Sequence, residues 1–233
     1  MRGFIRIMIA GAAIAVAGCS DWATAPRSER SIAPSGRPSL DLDGAFLFGG
    51  LRSVTFTLTS AGGTYSIGDL YNLDVPPNAV CALSNSYGPT TWDSPCDQLA
   101  DGDSIQVTAT YGYAYGAPVV DFAPDLRFAP DASVTLSTDA YAQILTTFRS
   151  YFAGNEWALR YFGINYTSDF GETATVDAAT DPSVITHINL GTGTVWRRVK
   201  HFSGYSVATG KACEVTEGDP DCVAAPAPLI DRP

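Results

Sequence analysis

The sequence predicts an all-β protein, a β-sandwich carrying one short inserted amphipathic helix. Three observations lead there. Apolar and polar residues alternate with a period of two in one stretch after another, which buries one face of a strand. Glycine and proline, 22 and 15 residues, punctuate those stretches at short intervals, as the turns of a sandwich require. One segment breaks the pattern with the three- and four-residue spacing of a helix.

The elements follow in order. SVTFTLT (53–59) sets Val54, Phe56 and Leu58 against Ser53, Thr55, Thr57 and Thr59, so one face is buried. Gly62-Gly63 turns the chain into TYSIGDLYNLDV, one or two strands, and Pro76-Pro77 ends them. SIQVTATYGYAY (104–115) alternates again, and APVVDFAP, DLRFAP and ASVTLS are short strands bounded by Pro118, Pro124 and Pro130. WALRYFGINY, GETATVD, VITHINL, TVWRRVKHF and YSVA complete the set. In TDAYAQILTTFRSYFAG, Tyr141, Ile144, Leu145, Phe148 and Phe152 fall on one helical face, spanning 139–153. Thr138 is positioned to cap its start and Gly154 its end. Such a stripe is ordinarily core packing over an edge or end of the sheets.

The N-terminus reads MRGFIRIMIAGAAIAVAGC. Arg2 and Arg6 precede an apolar run from Ile7 to Ala17 that is too short for a permanent membrane span. The run closes on Val16-Ala17-Gly18-Cys19, the pattern of a bacterial lipobox. That implies a signal peptide over 1–18, lipid on Cys19, and an exported protein held to a membrane through that lipid. Ser20 rather than Asp follows the cysteine, which favours the outer membrane or cell surface. Residues 19–38, rich in Ser, Pro and Arg, read as a flexible tether. Residues 39–210 form the sandwich, and 211–233 a disulfide-closed loop with a Pro-rich tail, expected to be poorly ordered beyond Cys222.

The signal holds two of the 14 basic residues, so twelve face 24 acidic ones in the mature chain, a formal charge of about −12. Such a chain is a poor candidate for nucleic acid, whose phosphates need a basic face. Four cysteines remain besides Cys19: Cys81, Cys96, Cys213 and Cys222. An even number in an exported chain points to two disulfides. Three connectivities are open; Cys81–Cys96 with Cys213–Cys222 closes the shortest loops. Zinc is the rival use of these residues, but there is no Cys-x-x-Cys pair and there are two His. No cofactor or metal is expected.

Three stretches in order carry a family resemblance: LDVPPNAV (73–80), VDFAPDLRFAPDASVTLS (120–137) and VWRRVKHFSGYSVA (195–208). The series resembles the ZU-five domain, a β-sandwich module of zonula-occludens and netrin-receptor proteins, over roughly residues 50–208. The helix at 139–153 and the Cys81–Cys96 loop would be insertions in it. The resemblance implies an interaction or structural module that presents a rigid sandwich to protein partners, with no conventional enzymatic activity; for a chain anchored in the envelope the expected partner is an envelope protein or polysaccharide. Some such domains resemble nucleoporin-type modules that cut their own chain within His-Phe-Ser. Carried over, His201 moves the proton, Phe202 supplies the carbonyl and Ser203 is the nucleophile. Gly204 would give the turn its unusual backbone. In the structural alternative, Phe202 and Tyr205 fill the core, Ser203 and Gly204 turn the chain, and His201 bonds locally.

Weaker signals complete the reading. Tyr111, Tyr113 and Tyr115 share one face of a strand; an exposed row of this kind stacks on sugar rings in glycan-binding lipoproteins, whereas a buried one is packing. Asp41/Asp43, Asp101/Asp103 and Asp219/Asp221 lack the full spacing of a Ca²⁺ loop. Arg197, Arg198 and Lys200 read as a solvated strand edge. His187 stands alone, and Asn165-Tyr166-Thr167 is a sequon.

Overall fold

The computed structural model describes residues 50–114, 116–167, 174–175, 181–208 and 227–231. The signal, the tether with Cys19, the Cys213 and Cys222 pair, and Tyr115 lie outside the described residues. Two six-stranded sheets make an all-β sandwich. The first holds β1 (Arg52–Thr59), β4 (Ser104–Ala114), β5 (Ala117–Ala123), β11 (Gly204–Ala208), β7 (Gly163–Thr167) and β8 (Ala174–Thr175), in that spatial order. The second runs β12 (Leu229–Ile230), β9 (His187–Asn189), β10 (Thr194–Arg198), β6 (Thr135–Thr138), β3 (Tyr71–Val75) and β2 (Gly63–Ile67). Every pairing is antiparallel except β12 with β9.

The period-two alternation is what faces the sheets on each other. Ile105, Val107, Ala109 and Tyr111 of β4 are buried while Ser104 and Gln106 are exposed. Leu73 and Val75 of β3, Leu136 of β6 and Val195 of β10 meet them in one continuous core. Apolar area removed from water on both inner faces is the main stabilising term in such a sandwich.

Several expectations need correcting. The helical segment is two short helices, α1 (Ala142–Thr147) and α2 (Arg149–Gly154), followed by 3₁₀ turns over Glu156–Phe162. The expected single helix breaks at Phe148, where ψ is 24°. Thr138 does not cap it, because its hydroxyl is committed to the strand end: it donates to the Leu70 carbonyl and accepts from the Ala140 N–H. Only part of the apolar stripe is core. Leu145 and Phe152 are buried, whereas Ile144 and Phe148 are exposed. The strand expected from Trp157 starts at Gly163, and DLRFAP forms isolated bridges rather than a strand. The tail comes back: Leu229 and Ile230 pair with His187 and Ile188. Asp231 fixes that return by accepting from the Trp196 indole at 2.7 Å and lying 3.0 Å from His187 Nδ1. His187, stacked on Trp196, is therefore one member of a cluster.

Three connections cross from one sheet to the other at the same place. They are 76–103 between β3 and β4, 124–134 between β5 and β6, and 199–203 between β10 and β11. They bond to one another as a small ladder. Ala129 N–H donates to Ala79, Cys81 N–H to Arg127, Phe128 N–H to Lys200 and Phe202 N–H to Leu126. The HFSGY stretch is thus a strand changing sheets.

The described members of the tyrosine row, Tyr111 and Tyr113, face inward. Tyr111 is buried and Tyr113 packs partly buried against the core, so neither offers a flat exposed face to a sugar. Tyr111 lies directly over Gly68, whose φ is +59°, and a Cβ there would meet the ring at 2.2 Å. Gly68→Ala should lose about 2–3 kcal/mol of unfolding free energy, from left-handed strain plus ring overlap. Gly102→Ala, with φ of +89° and open space around it, should lose about half as much. Urea denaturation of the two variants checks the difference, and equal losses would mean that the Tyr111 ring yields freely.

Candidate functional site

The site begins with the bond between Cys81 and Cys96, which closes a loop of sequence separation 15. A buried arginine organises that loop from below. Arg127 donates from Nε to the Ser86 carbonyl (3.0 Å), from Nη1 to Thr91 (2.9 Å) and Ser94 (2.5 Å), and from Nη2 to Pro95 (3.0 Å). Asn85 ties the loop's two ends, donating to Ala82 and Asp97 carbonyls and accepting from Asp97 N–H. A guanidinium presents its donors in a fixed planar fork, so the four carbonyls it satisfies cannot rearrange independently.

Two aromatic residues of this loop close over the His-Phe-Ser stretch. The Trp92 ring stacks on the His201 imidazole with centroids 3.6 Å apart and planes 15° from parallel. Tyr166 meets the same imidazole edge-on at 5.2 Å. The Tyr87 hydroxyl donates to the Phe202 carbonyl at 2.7 Å and lies 3.3 Å from His201 Nδ1. Phe202 is fully buried, stacked on Phe122 and edge-on to Phe128. Ser203 Oγ is 2.9 Å from His201 Nδ1. The Tyr205 hydroxyl donates to the His201 carbonyl at 2.7 Å. With the Tyr87 proton directed at the Phe202 carbonyl, Nδ1 is left to accept from the Ser203 hydroxyl. That assigns the imidazole proton to Nε2 from the bonding pattern.

The imidazole is neutral for a physical reason. Burial pushes the His201 pKa from its ordinary 6.5 down to about 3; the Arg197 charge adds to this, the Phe202 carbonyl opposes it, and Lys200 contributes in the same sense as Arg197. Beside the imidazole opens a cleft of about 600 Å³, lined among others by Trp92, Asp93, Asp181, Lys200 and Tyr205. Lys200 bonds to both Asp93 and Asp181. Burial acts to raise the Asp181 pKa, but Lys200 and Ser183 outweigh it and hold the carboxyl below its usual value. The cleft leads from solvent to the edge of the site.

The basic strip is not a solvated edge. β10 is flanked on both sides, by β9 and β6. Arg197 is buried, donates to the Ile164 carbonyl and lies over the Tyr205 ring, while Arg198 donates to Ala132 and Pro130. Gly204 does not adopt a left-handed backbone. It is glycine because β7 approaches closely: a Cβ there would meet the Thr167 carbonyl oxygen at 2.6 Å. The sequon residues Asn165 and Thr167 are buried in β7, out of reach of a bulky modification. Asp101 accepts from Ser60, and among the described residues no group of three His, Cys, Asp or Glu is placed to hold a metal ion.

Of the sequence-predicted residues, His201 Nδ1 lies beside Ser203 Oγ and the Phe202 carbonyl accepts from Tyr87. Tyr87, Trp92 and Arg127 are the members that sequence reasoning missed. A signal was available in SYGPTTW (86–92), two aromatics set between bonded cysteines. Comparison of the chain with protein-family models, with curated proteins and with solved structures found no match.

The depressed imidazole pKa has a sign that can be tested. Between about pH 6.5 and about pH 3 the unfolded chain binds a proton on His201 that the folded chain does not. Its contribution to stability is complete above pH 6.5 and is lost as pH falls, by at most about 1.4 kcal/mol per pH unit. Urea titrations of Ser203→Ala at pH 7 and pH 5 should show a loss on acidification. That loss should be about 2 kcal/mol smaller after His201→Gln. Equal losses in the two chains would show that His201 titrates near its ordinary value.

Proposed function

We propose that this protein is a lipid-anchored cell-envelope module that cuts its own backbone once, between Phe202 and Ser203, and works as the nicked two-piece sandwich. In this reading it has no external substrate and no multiple turnover. Its partner is an envelope protein or polysaccharide, and its membrane contact is the lipid on Cys19. The observation that carries the reading is the 2.9 Å contact between Ser203 Oγ and His201 Nδ1, within a buried site whose imidazole is neutral.

The chemistry follows from that contact. Ser203 Oγ attacks the Phe202 carbonyl carbon through a five-membered ring, and its proton passes to His201 Nδ1. The C–N bond then breaks as the imidazolium returns the proton to the Ser203 nitrogen, leaving an ester between Phe202 and the serine oxygen. Water entering along the cleft hydrolyses the ester to a Phe202 carboxylate and a free Ser203 hydroxyl. A neutral imidazole is the form that can accept the first proton. Its low basicity disfavours a lasting imidazolium, which suits a proton held only in passing.

The cut piece would remain docked. β11 pairs with β5 on one side and with β7 along five residues on the other, and β12 attaches to the second sheet. The alternative, an uncut interaction module, is favoured by the full burial of Phe202 and by residues 201–204 having neither a cis peptide bond nor a positive φ. Denatured, reduced intact mass separates the two. Wild type should give two masses that sum to the whole plus one water, and Ser203→Ala a single mass. Under native conditions the two pieces should elute together from a sizing column and separate only in denaturant. A single full-length mass in wild type would leave HFSGY as architecture.

A further inference from the structure

We infer that Tyr87 is a catalytic residue of this cut and that formation of the Cys81–Cys96 disulfide switches the cut on. The inference rests on the self-cleavage proposed above. It adds a residue from a distant part of the chain and a condition for activity.

Attack on the Phe202 carbonyl turns its oxygen into an oxyanion. A donor already aimed at that oxygen lowers the barrier because it needs no reorganisation in a water-poor site. The Tyr87 hydroxyl is that donor, 2.7 Å from the oxygen. Its position is not set by the sandwich. Tyr87 belongs to no strand, and its segment is held by the Arg127 bonds to Ser86, Thr91, Ser94 and Pro95 and by the bridge at the loop's base. The same loop places Trp92 on the imidazole. The bridge and the Arg127 bonds together therefore hold both the oxyanion donor and the ring that covers His201.

With Cys81 and Cys96 reduced, loop closure costs more entropy and the Tyr87 hydroxyl is less often in place. Oxidation by a thiol–disulfide oxidant such as glutathione disulfide takes two electrons and two protons from the thiols and yields two glutathione molecules. The chain would then stay whole where thiols are kept reduced and cut itself after export, where disulfides persist.

The test uses the mature full-length chain with Cys19, Cys213 and Cys222 each replaced by Ser, so that Cys81 and Cys96 are the only thiols. It is purified reduced and then given glutathione disulfide, and intact mass is followed over time. The expected result is a whole chain when reduced and a cut chain after oxidation. Tyr87→Phe, oxidised in the same way, should cut about 100- to 1,000-fold more slowly, the usual effect of removing one oxyanion donor. Hydroxylamine, which cleaves esters and not amides, should not restore its rate, because the slowed step precedes the ester. Urea midpoints of Ser203→Ala with and without Tyr87→Phe check that the fold is kept. Cutting at one rate in the reduced and oxidised chains would overturn the switch. An unchanged Tyr87→Phe rate, or full rescue by hydroxylamine, would overturn the catalytic role. In each of those cases self-cleavage itself stands. An oxidised wild-type chain that stays whole would instead overturn self-cleavage, and the inference with it.

Discussion

The guanidinium of Arg127 is buried at the end of the sandwich with its donors on the carbonyls of Ser86, Thr91, Ser94 and Pro95. A buried cation is tolerated only when its donors are satisfied. Here a segment without regular secondary structure does this, and the dependence runs both ways. Without the arginine the loop's carbonyls would lose a strong donor, with Thr91 keeping the Ser94 N–H and Ser86 the Thr91 hydroxyl, and without the loop the arginine's donors would be left buried and unsatisfied. Each restrains the other, and Tyr87 and Trp92 inherit the arrangement that results. The disulfide reinforces the arrangement by shortening the excursions open to the unfolded loop.

This constraint acts at the place where the fold is least regular. Three chain crossings meet at one corner of the sandwich, and Arg127 and His201 are bridge partners on neighbouring crossings. The backbone of 199–203 belongs wholly to neither sheet, so its carbonyls are available to side chains. His201 and Phe202 carbonyls are taken by Tyr205 and Tyr87. Inside a strand those oxygens would already accept from neighbouring backbone, leaving less room for a side-chain hydroxyl. The change of sheet is thus what exposes a peptide bond to side-chain chemistry, and the loop is what covers it again.

The sandwich was legible because its signal is local: alternation in SVTFTLT and SIQVTATY needs no knowledge of what lies opposite. The same locality misled where partners are distant. Arg197 and Arg198 look like an edge on a strand read alone, yet β10 has neighbours on both sides and its arginines are committed to carbonyls of Ile164, Ala132 and Pro130. The tyrosine row reads as a ladder until Tyr111 is seen lying over Gly68. Of the site, His201 and Ser203 were visible as neighbours in sequence. Tyr87 was not, because it lies 115 residues from its acceptor, and no periodicity links the two. Leu229 to Asp231 were obscured by composition, a Pro-rich tail whose last hydrophobic pair happens to match the edge of β9.

A buried histidine with a pKa near 3 would be a poor choice for an enzyme that must cycle its base many times near neutral pH. For one reaction on its own backbone the demand differs. In the proposed cut the nucleophile and the carbonyl are in adjacent residues, so no binding energy is needed to bring them together and proximity is supplied by covalent structure. What remains to be supplied is a proton acceptor in its neutral form, a donor on the carbonyl, and exclusion of bulk water. Burial under Trp92 and Tyr166 depresses the imidazole pKa and dries the site by the same contacts. Low basicity is then the consequence of a geometry that a single turnover can use, and an exposed His201 of ordinary pKa would lose the enclosure that gives the Tyr87 hydrogen bond its strength.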